Sequence, residues 1–441
     1  MDRTGSYKAG RTVHIVDGCR TPFLKARGKP GPFRASDLAV AAGRALLVRQ
    51  PFQPEDLDEV ILGCVIPGPD ETNVARIVSL RLGCGKHVPA WTVQRNCGSG
   101  MQALDAAATN IACGRSDLVL AGGAEAMSRA PVLVNEAMLN ILGEWNRAQS
   151  VAKKISLLAR LRPAHFRPVI GLLHGLTDPI VGLSMGQTAE DLAHRFQISR
   201  ERMDAYAMES HRRLARAQDE KRLAEIITIY TDEGIFFDHD EGVRRDTTMS
   251  ALARLQPAFD RPFGLITAGN SAQVSDGAAW MILASDEAVE KYRLPVVGSI
   301  IDCAWVGLDP GQMGLGPVHA MSQILRRQRL GVGDIDYWEI NEAFAAQVLA
   351  CLEAWQSSEY CRVELGLDAP PAAIDPDRLN VDGGAVAIGH PVGTSGARIV
   401  LHLLSIMARN NARRGMASLC IGGGQGGAML IQRFEGVAGG I

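Results

Sequence analysis

The feature that most narrows what this chain can fold into is an internal repeat. A stretch of helical spacing (residues 38–47), the triplet Asp56-Leu57-Asp58 and the apolar run Glu59-Val60-Ile61-Leu62-Gly63 follow one another. The same order returns as helical residues 318–325, Asp334-Ile335-Asp336 and the apolar run 337–340. A second matching pair lies downstream of these. Cys97-Gly98-Ser99-Gly100, a helical stretch, Gly114, strand-like residues 118–121 and Gly122-Gly123 resemble residues 390–396, a helical stretch, Gly415, residues 418–421 and Gly422-Gly423. Each copy reads as one β-α-β-α-β half of an α/β protein. Such a half has an apolar face that it cannot cover alone, so two copies pack together and bring both glycine-rich turns into one cleft.

The richest of these turns, residues 380–396, reads N-V-D-G-G-A-V-A-I-G-H-P-V-G-T-S-G. Glycines there supply positive φ and let backbone approach a ligand closely. The one histidine it holds, His390, reads either as a catalytic base or as a structural histidine. Downstream, helical residues 397–408 lead through a strand-like run to Cys420-Ile421-Gly422-Gly423-Gly424. A cysteine at the carboxyl end of a strand, followed by glycines, sits where α/β proteins hold ligands. Cys97 is placed likewise, after strand-like residues 91–94 and before a helical stretch that starts at Met101. A helix N-terminus favours the thiolate, which is the nucleophilic form. The plainer alternative is a small buried cysteine. A second thiol near the reacting carbon would move a proton as acid and base, the role that suits Cys420. Asn341, just beyond the run 337–340, would hold a water or an oxyanion, or simply cap a helix. Gly422, Gly424 and Gly427 also fit the dinucleotide pattern G-x-G-x-x-G. That reading fails because Ala428-Met429-Leu430-Ile431 continues as strand where the fingerprint opens a helix.

A chain of 441 residues exceeds one ordinary core. Its net charge of −2 offers no electrostatic footprint for nucleic acid. Nine cysteines without a C-x-x-C pair speak against a disulfide framework and a zinc site, and point to a reduced, cytoplasmic setting. Residues 1–13 are polar and basic, unlike a secretory signal, and no stretch reaches the ~20 apolar residues of a membrane span.

Between residues 129 and 183 the repeat breaks. Residues 147–173 carry Arg, Lys and His but no acidic side chain, interleaved with Ile155, Leu157, Leu158, Leu161 and Phe166. Such a stretch lies on a membrane surface or docks a partner, or else is a solvated insertion covering the active site. Residues 185–218 read as two helices, with Ser199 as an N-cap and Glu201 in the first turn. Asp238-His239-Asp240-Glu241 reads as a polar turn rather than a metal site. Residues 264–270 and 276–284 return to strand character and close the first half.

Taken together, these blocks resemble the thiolase family. N-C-G-S-G around Cys97, N-E-A-F-A from Asn341, G-H-P around His390 and C-x-G-G-G from Cys420 stand in that family's order. M-G-x-T-A-E (185–190), T-A-G-N (267–270) and S-D-G-A-A (275–279) add to the resemblance, which spans about residues 12–434. It implies a thiolase fold: two similar halves in five layers, α/β/α/β/α, with an inserted loop domain. The halves would be residues 12–295, containing the loop domain at about 129–262, and residues 296–436. It also implies CoA thioester substrates, no cofactor or metal beyond CoA as co-substrate, and a homodimer or homotetramer. By the same resemblance, Cys97 would take the acyl group and His390 would activate it. His390 and a water held by Asn341 would form one oxyanion hole, and the backbone N–H groups of Cys97 and Gly422 the other. Cys420 would protonate the departing acetyl-CoA enolate. Arg244, Ala268 and Ser271 would contact CoA.

The basic segment looks like the β-subunit of the trifunctional fatty-acid oxidation complex. That likeness admits a hydratase–dehydrogenase α-subunit as partner and peripheral membrane contact through 147–173. Cys420-Ile421-Gly422 and Trp305-Val306-Gly307-Leu308-Asp309-Pro310 look more like acetoacetyl-CoA thiolases, yet Ser184 and Ala272 depart from that pattern. The expectation is broad 3-ketoacyl-CoA thiolysis in fatty-acid β-oxidation. The alternatives are a short-chain acetoacetyl-CoA thiolase and, more remotely, a non-catalytic acyl-CoA-binding subunit.

Overall fold

Nine strands carry the fold: β1 (His14–Arg20), β2 (Glu59–Gly63), β3 (Ala90–Val93), β4 (Leu118–Ala126), β5 (Ser275–Ala284), β6 (Gly298–Gly307), β7 (Tyr337–Ile340), β8 (Arg414–Ile421) and β9 (Gln425–Gln432). The structure is a computed structural model describing residues 10–433, so residues 1–9 of the polar N-terminal stretch and 434–436 of the expected second half lie outside it. The strands run in the order β7-β8-β9-β6-β1-β5-β4-β2-β3, with the two-residue strand Leu24–Lys25 beside β5. The sheet's seam is narrow: β1 meets β6 only at His14↔Ser299 and Ile15↔Gly298. Outward from that seam the halves match, β1-β5-β4-β2-β3 on one side and β6-β9-β8-β7 on the other. Where the first half has the parallel edge strand β3, the second has one parallel bridge, Trp338↔Leu379.

Among the described residues ten helices have eight or more residues; some sandwich these strands in three layers and others belong to the segment between β4 and β5. The ten are α1 (Ala35–Leu47), α2 (Val74–Arg81), α3 (Ser99–Ala112), α4 (Glu136–Arg147), α5 (Val151–Ala159), α6 (Met185–Arg195), α7 (Arg200–Asp219), α8 (Gly316–Gln328), α9 (Ala345–Gln356) and α10 (Val392–Arg409). Alternation along the strands divides the core, because successive side chains point to opposite faces. In β5, Trp280 and Ile282 join α1 and α2, while Met281 and Leu283 join α3 and α10. In β8, Leu419 and Ile421 join the central helices, while Met416 and Cys420 face the cluster containing α8 and α9. Five layers result, α/β/α/β/α. Strands covered on both faces read as near-continuous apolar runs, as β5 does.

The repeated Asp-x-Asp triplet has a physical cause. Asp56 accepts from Gln53 N–H at 2.8 Å and Asp334 from Gly331 N–H at 2.8 Å, each closing a short turn before its strand. Asp58 accepts from the N–H groups of Asp117 and Leu118, at 2.6 and 2.9 Å. Asp336 accepts from those of Arg413 and Arg414, at 2.8 and 2.9 Å. Each second aspartate thus ties one strand to the start of its neighbour.

The repeated glycines have a cause as well. A Cβ on Gly100 would come 2.8 Å from Ala397 N, and one on Gly396 would come 2.6 Å from Met101 N. The central helices α3 and α10 therefore cross backbone to backbone near their N-termini, which puts the Cys97 and His390 turns side by side.

Residues 127–274 leave the sheet at the end of β4 and return at the start of β5, carrying α4 to α7. Ser199 caps α7, its Oγ accepting from Arg202 N–H at 3.3 Å. The aspartate-rich turn is spent on protein partners: Asp240 takes both Nη atoms of Arg20, at 2.7 and 2.8 Å, and Phe23 N–H at 2.7 Å. Two expectations need correction. Strand β4 runs on to Ala126 rather than stopping near residue 121, because β5 pairs with it along its whole length. Residues 264–270 form a loop, with a single bridge from Thr267 to Pro257, rather than a strand. Side chains satisfy that backbone: Glu190 accepts from Leu265 and Ile266 N–H at 2.8 Å each, and Asn270 Oδ1 accepts from Thr267 N–H at 2.8 Å.

Candidate active site

Cys97 lies two residues before α3, with Asn96 beside it at φ 43°. The Asn96 amide donates to Gly422 O at 2.8 Å, stapling the Cys97 turn to the turn that follows Cys420. Cys420 is the penultimate residue of β8 and is 1% exposed. His390 precedes α10, held by its N–H to Gln273 O at 3.0 Å. Before it, Gly389 adopts φ 109°, and a Cβ there would strike Ser275 Oγ, so only glycine serves. Cys97, His390, Cys420 and Gly422 line one cavity of about 470 Å³, together with Ser271 and the apolar Met127, Met185, Phe259 and Phe344. A second cavity of about 470 Å³ shares Cys97, Met127, Leu176, Met185, Val392 and Gly422, so two arms meet at the Cys97 sulfur.

The protonation chemistry follows from burial. Burial pushes the Cys97 thiol above its ordinary value, and the N–H groups of Gly422 and of Cys97 itself pull it part of the way back. The thiolate that a helix N-terminus was expected to favour is therefore not the resting form, and a base must take the proton. Burial, then the nearby Arg398 guanidinium, lower His390 to about 4, which leaves it neutral near pH 7. Ser395 Oγ donates to Pro391 O at 3.2 Å and lies 2.6 Å from His390 Nδ1. With the serine proton committed to the carbonyl, Nδ1–H is the donor in the shorter contact and Nε2 carries the free lone pair. His390 Nε2 is buried and has no protein partner. Burial, followed by the neighbouring Cys97, drives Cys420 well above an ordinary thiol, so it keeps its proton.

The remaining residues singled out from sequence divide. Asn341 is fully buried, and its N–H donates to Ser418 O at 2.9 Å, but it does not line the cavity. Helix α9 begins at Ala345, so Asn341 is not its cap. Both atoms of its amide are buried without a protein partner, as Nε2 of His390 is. Buried polar atoms of this kind call for a polar partner such as a bound water. Arg244 and Ala268 lie outside the cavity lining; the guanidinium donates to Ala268 O, at 3.4 and 3.5 Å. Ser271 lines the cavity, with its Oγ donating to Thr267 O at 2.7 Å.

Two buried carboxylates that hold the turns in place went unnoticed in the sequence. Glu125 accepts from Val65, Ile66 and Gly393 N–H at 2.9, 3.0 and 3.0 Å, joining the end of β2 to the start of α10. Burial raises it to about 7 despite those donors. Glu342 accepts from the Tyr206 and Ser210 hydroxyls at 3.0 and 2.7 Å, the Asn380 side-chain amide at 3.1 Å and Val386 N–H at 3.2 Å. It thereby clamps α7 of the inserted segment to the turn that carries His390. Its only sequence signal was its place in N-E-A-F-A.

Family comparisons agree along the whole chain. Residues 13–287 match the thiolase N-terminal domain and residues 294–433 the thiolase C-terminal domain. A β-ketoadipyl-CoA thiolase of Pseudomonas aeruginosa is 40% identical, over 96% of this chain and 99% of that protein. A 3-ketoacyl-CoA thiolase of Yersinia pestis is 34% identical, over 96% of this chain and 98% of that protein. The crystal structure of human mitochondrial 3-ketoacyl-CoA thiolase in complex with CoA superposes with a TM-score of 0.82 at 36% identity, over 96% of this chain and 98% of that one.

Proposed function

The chain belongs to the thiolase family and is an acyltransferase of that kind; on that premise we propose that it cleaves 3-ketoacyl-CoA with CoA through an acyl-Cys97 intermediate, as a step of fatty-acid β-oxidation. The observation that carries the proposal is the meeting of Cys97, Cys420 and a neutral His390, its Nε2 without a protein partner, in one cavity.

In this reading His390 Nε2 takes the Cys97 proton as Sγ attacks the 3-keto carbon. The C2–C3 bond then breaks and its electron pair leaves as the acetyl-CoA enolate, which Cys420 protonates. CoA gives its proton to the Cys420 thiolate and attacks the acyl thioester, and the departing Cys97 thiolate takes back the proton held on His390. Breaking that bond needs a soft nucleophile, a proton donor at the departing carbon and donors for each developing oxyanion. His390 with a water held by Asn341 would serve one oxyanion, and the Cys97 and Gly422 N–H groups the other. We read Ser271 as a wall of the CoA channel, and Arg244 and Ala268 as contacts farther along the CoA. We also read residues 12–295 and 296–436 as the two halves, with about 129–262 as the inserted domain.

The test is CoA-dependent loss of 3-ketoacyl-CoA absorbance. Cys97→Ala should lower turnover by about 10⁴-fold or more while the thermal melt stays intact. Wild-type activity in that variant would overturn the mechanism. If wild type turned over acetoacetyl-CoA alone, the enzyme would be a short-chain acetyltransferase.

The inserted segment supports a second reading, contact with an anionic membrane surface. Val151, Ile155 and Leu158 form an exposed stripe on α5, and Phe166 is 64% exposed, beside Lys153, Lys154, Arg160, Arg162 and Arg167. Among the described residues no helix is long and apolar enough to cross a membrane. Sedimentation with liposomes should show binding that needs anionic lipid and is lost in Ile155→Glu/Leu158→Glu. Pelleting that ignores lipid charge would count against it. A homodimer or homotetramer and a hydratase–dehydrogenase partner belong to the same proposal, and sizing with and without such a partner tests them.

A further inference from the structure

The walls around Cys97 carry very little charge, and what they carry has one sign. Among the described residues, no lysine or arginine lines either arm. The first arm has no acidic residue either, and the second has a single one, Asp178. Asp178 is 3% exposed. Its Oδ1 accepts from Ile180 and Val181 N–H at 2.8 and 3.2 Å, closing the turn that roofs the arm. No cation pairs with it among the described residues.

We propose that this site takes uncharged acyl chains only, and that Asp178 bars chains that end in a carboxylate. The proposal rests on the thiolysis reading above and adds the acyl class to it. Any acyl group on Cys97 must extend into one of the two arms. A terminal carboxylate there would give up its hydration to a wall that offers no cation in return. In the second arm it would also meet the like charge of Asp178 in a low dielectric, where repulsion is strong. An alkyl chain meets neither cost and gains contact with Met127, Leu176 and Met185. The β-ketoadipyl-CoA thiolase that shares 40% identity is named for a substrate whose acyl chain ends in a carboxylate. Overall identity favours that substrate, and the lining of the arms favours its uncharged counterpart.

Two six-carbon substrates that differ at the far end of the chain decide the matter: 3-ketohexanoyl-CoA, with a methyl, and β-ketoadipyl-CoA, with a carboxylate. Wild-type kcat/KM should favour the methyl-ended substrate by about a hundredfold. Asp178→Asn keeps an Oδ1 acceptor for the turn while removing the charge, and should narrow that ratio by about tenfold. Ile180→Lys places a cation on the same arm at a position 81% exposed, where the fold tolerates it, and should narrow the ratio as well. Because the readout is a ratio between matched substrates, a general loss of activity does not move it. A wild-type ratio near one, or a ratio unmoved in Asp178→Asn, overturns the proposal. No turnover of 3-ketohexanoyl-CoA by wild type would instead defeat the thiolysis reading on which it stands.

Discussion

The two halves share a strand order yet treat the same dipeptide in opposite ways. In the first half Gly122-Gly123 stays extended within β4, paired with β5, and a Cβ would strike Ala279 O at Gly122 or Gly393 O at Gly123. In the second half the matching Gly422-Gly423 leaves the strand, and Gly423 with the next residue, Gly424, takes φ of 90° and 72° and turns β8 straight into β9. Where the second half needs a three-residue turn, the first half runs on to Ala126 and emits residues 127–274. One half thus provides a short wall, with Cys420 and Gly422 at its end. The other provides the roof, including Leu176 and Met185. Duplicated backbone supplies the frame, and departure from the duplication supplies the enclosure.

The strongest way to break this comparison is at the helix crossing. Gly100→Val and Gly396→Val should each destabilise by about 3 kcal/mol or more, since each Cβ meets the other helix's backbone rather than a side chain that can move. Urea midpoints check this, and a large asymmetry between the two variants would mean that one half alone sets the crossing.

A smaller effect, and one tunable by pH, separates the two histidines of the α10 unit. Burial opposes the charged form of His402, but Glu225, 2.9 Å from its Nδ1, and Asp382 outweigh that and raise it to about 10. His390 goes the other way, to about 4. A raised histidine contributes stability that is full below the unfolded value near 6.5 and is lost as pH climbs from there to about 10. A lowered one costs stability as pH falls from about 6.5 to about 4, because the unfolded chain takes the proton first. The melting deficit of His402→Gln should therefore shrink above pH 6.5. His390→Gln should gain on wild type below pH 6.5. Melting curves from pH 5 to 9 check both signs.

The smallest effect concerns the aspartate ties. Asp58→Ala and Asp336→Ala should each cost about 1 kcal/mol, since both sit near the surface and each leaves two N–H groups for water to satisfy. Chemical denaturation of the two variants checks whether the halves are equally tied.

Much of this was legible in the sequence because the informative residues are local punctuation. Asp-x-Asp, the glycine turns and the cysteine at a strand end act within a few residues of where they are written. Ser199 and the helices it separates were legible for the same reason. What could not be read depends on partners far along the chain. Residues 264–270 have strand-like composition, yet Glu190 takes the N–H groups that a neighbouring strand would need. Asn341 looks like a cap until Ser418 is found holding its backbone. Glu342 lies in N-E-A-F-A and Glu125 just past Gly122-Gly123, but their donors come from elements up to 136 and 268 residues away. The charge of the cavity wall was equally hidden, since it is a property of side chains gathered from across the whole chain.

The inserted segment leaves and re-enters through adjacent antiparallel strands, Ala126 lying opposite Asp276. Its two ends are fixed as neighbours whatever lies between them, and lengthening a connection between fixed ends costs little entropy. The roof over Cys97 can therefore be rewritten without disturbing the register of the sheet beneath, so that under the proposed reading the acyl group could change while the reacting residues stay in place.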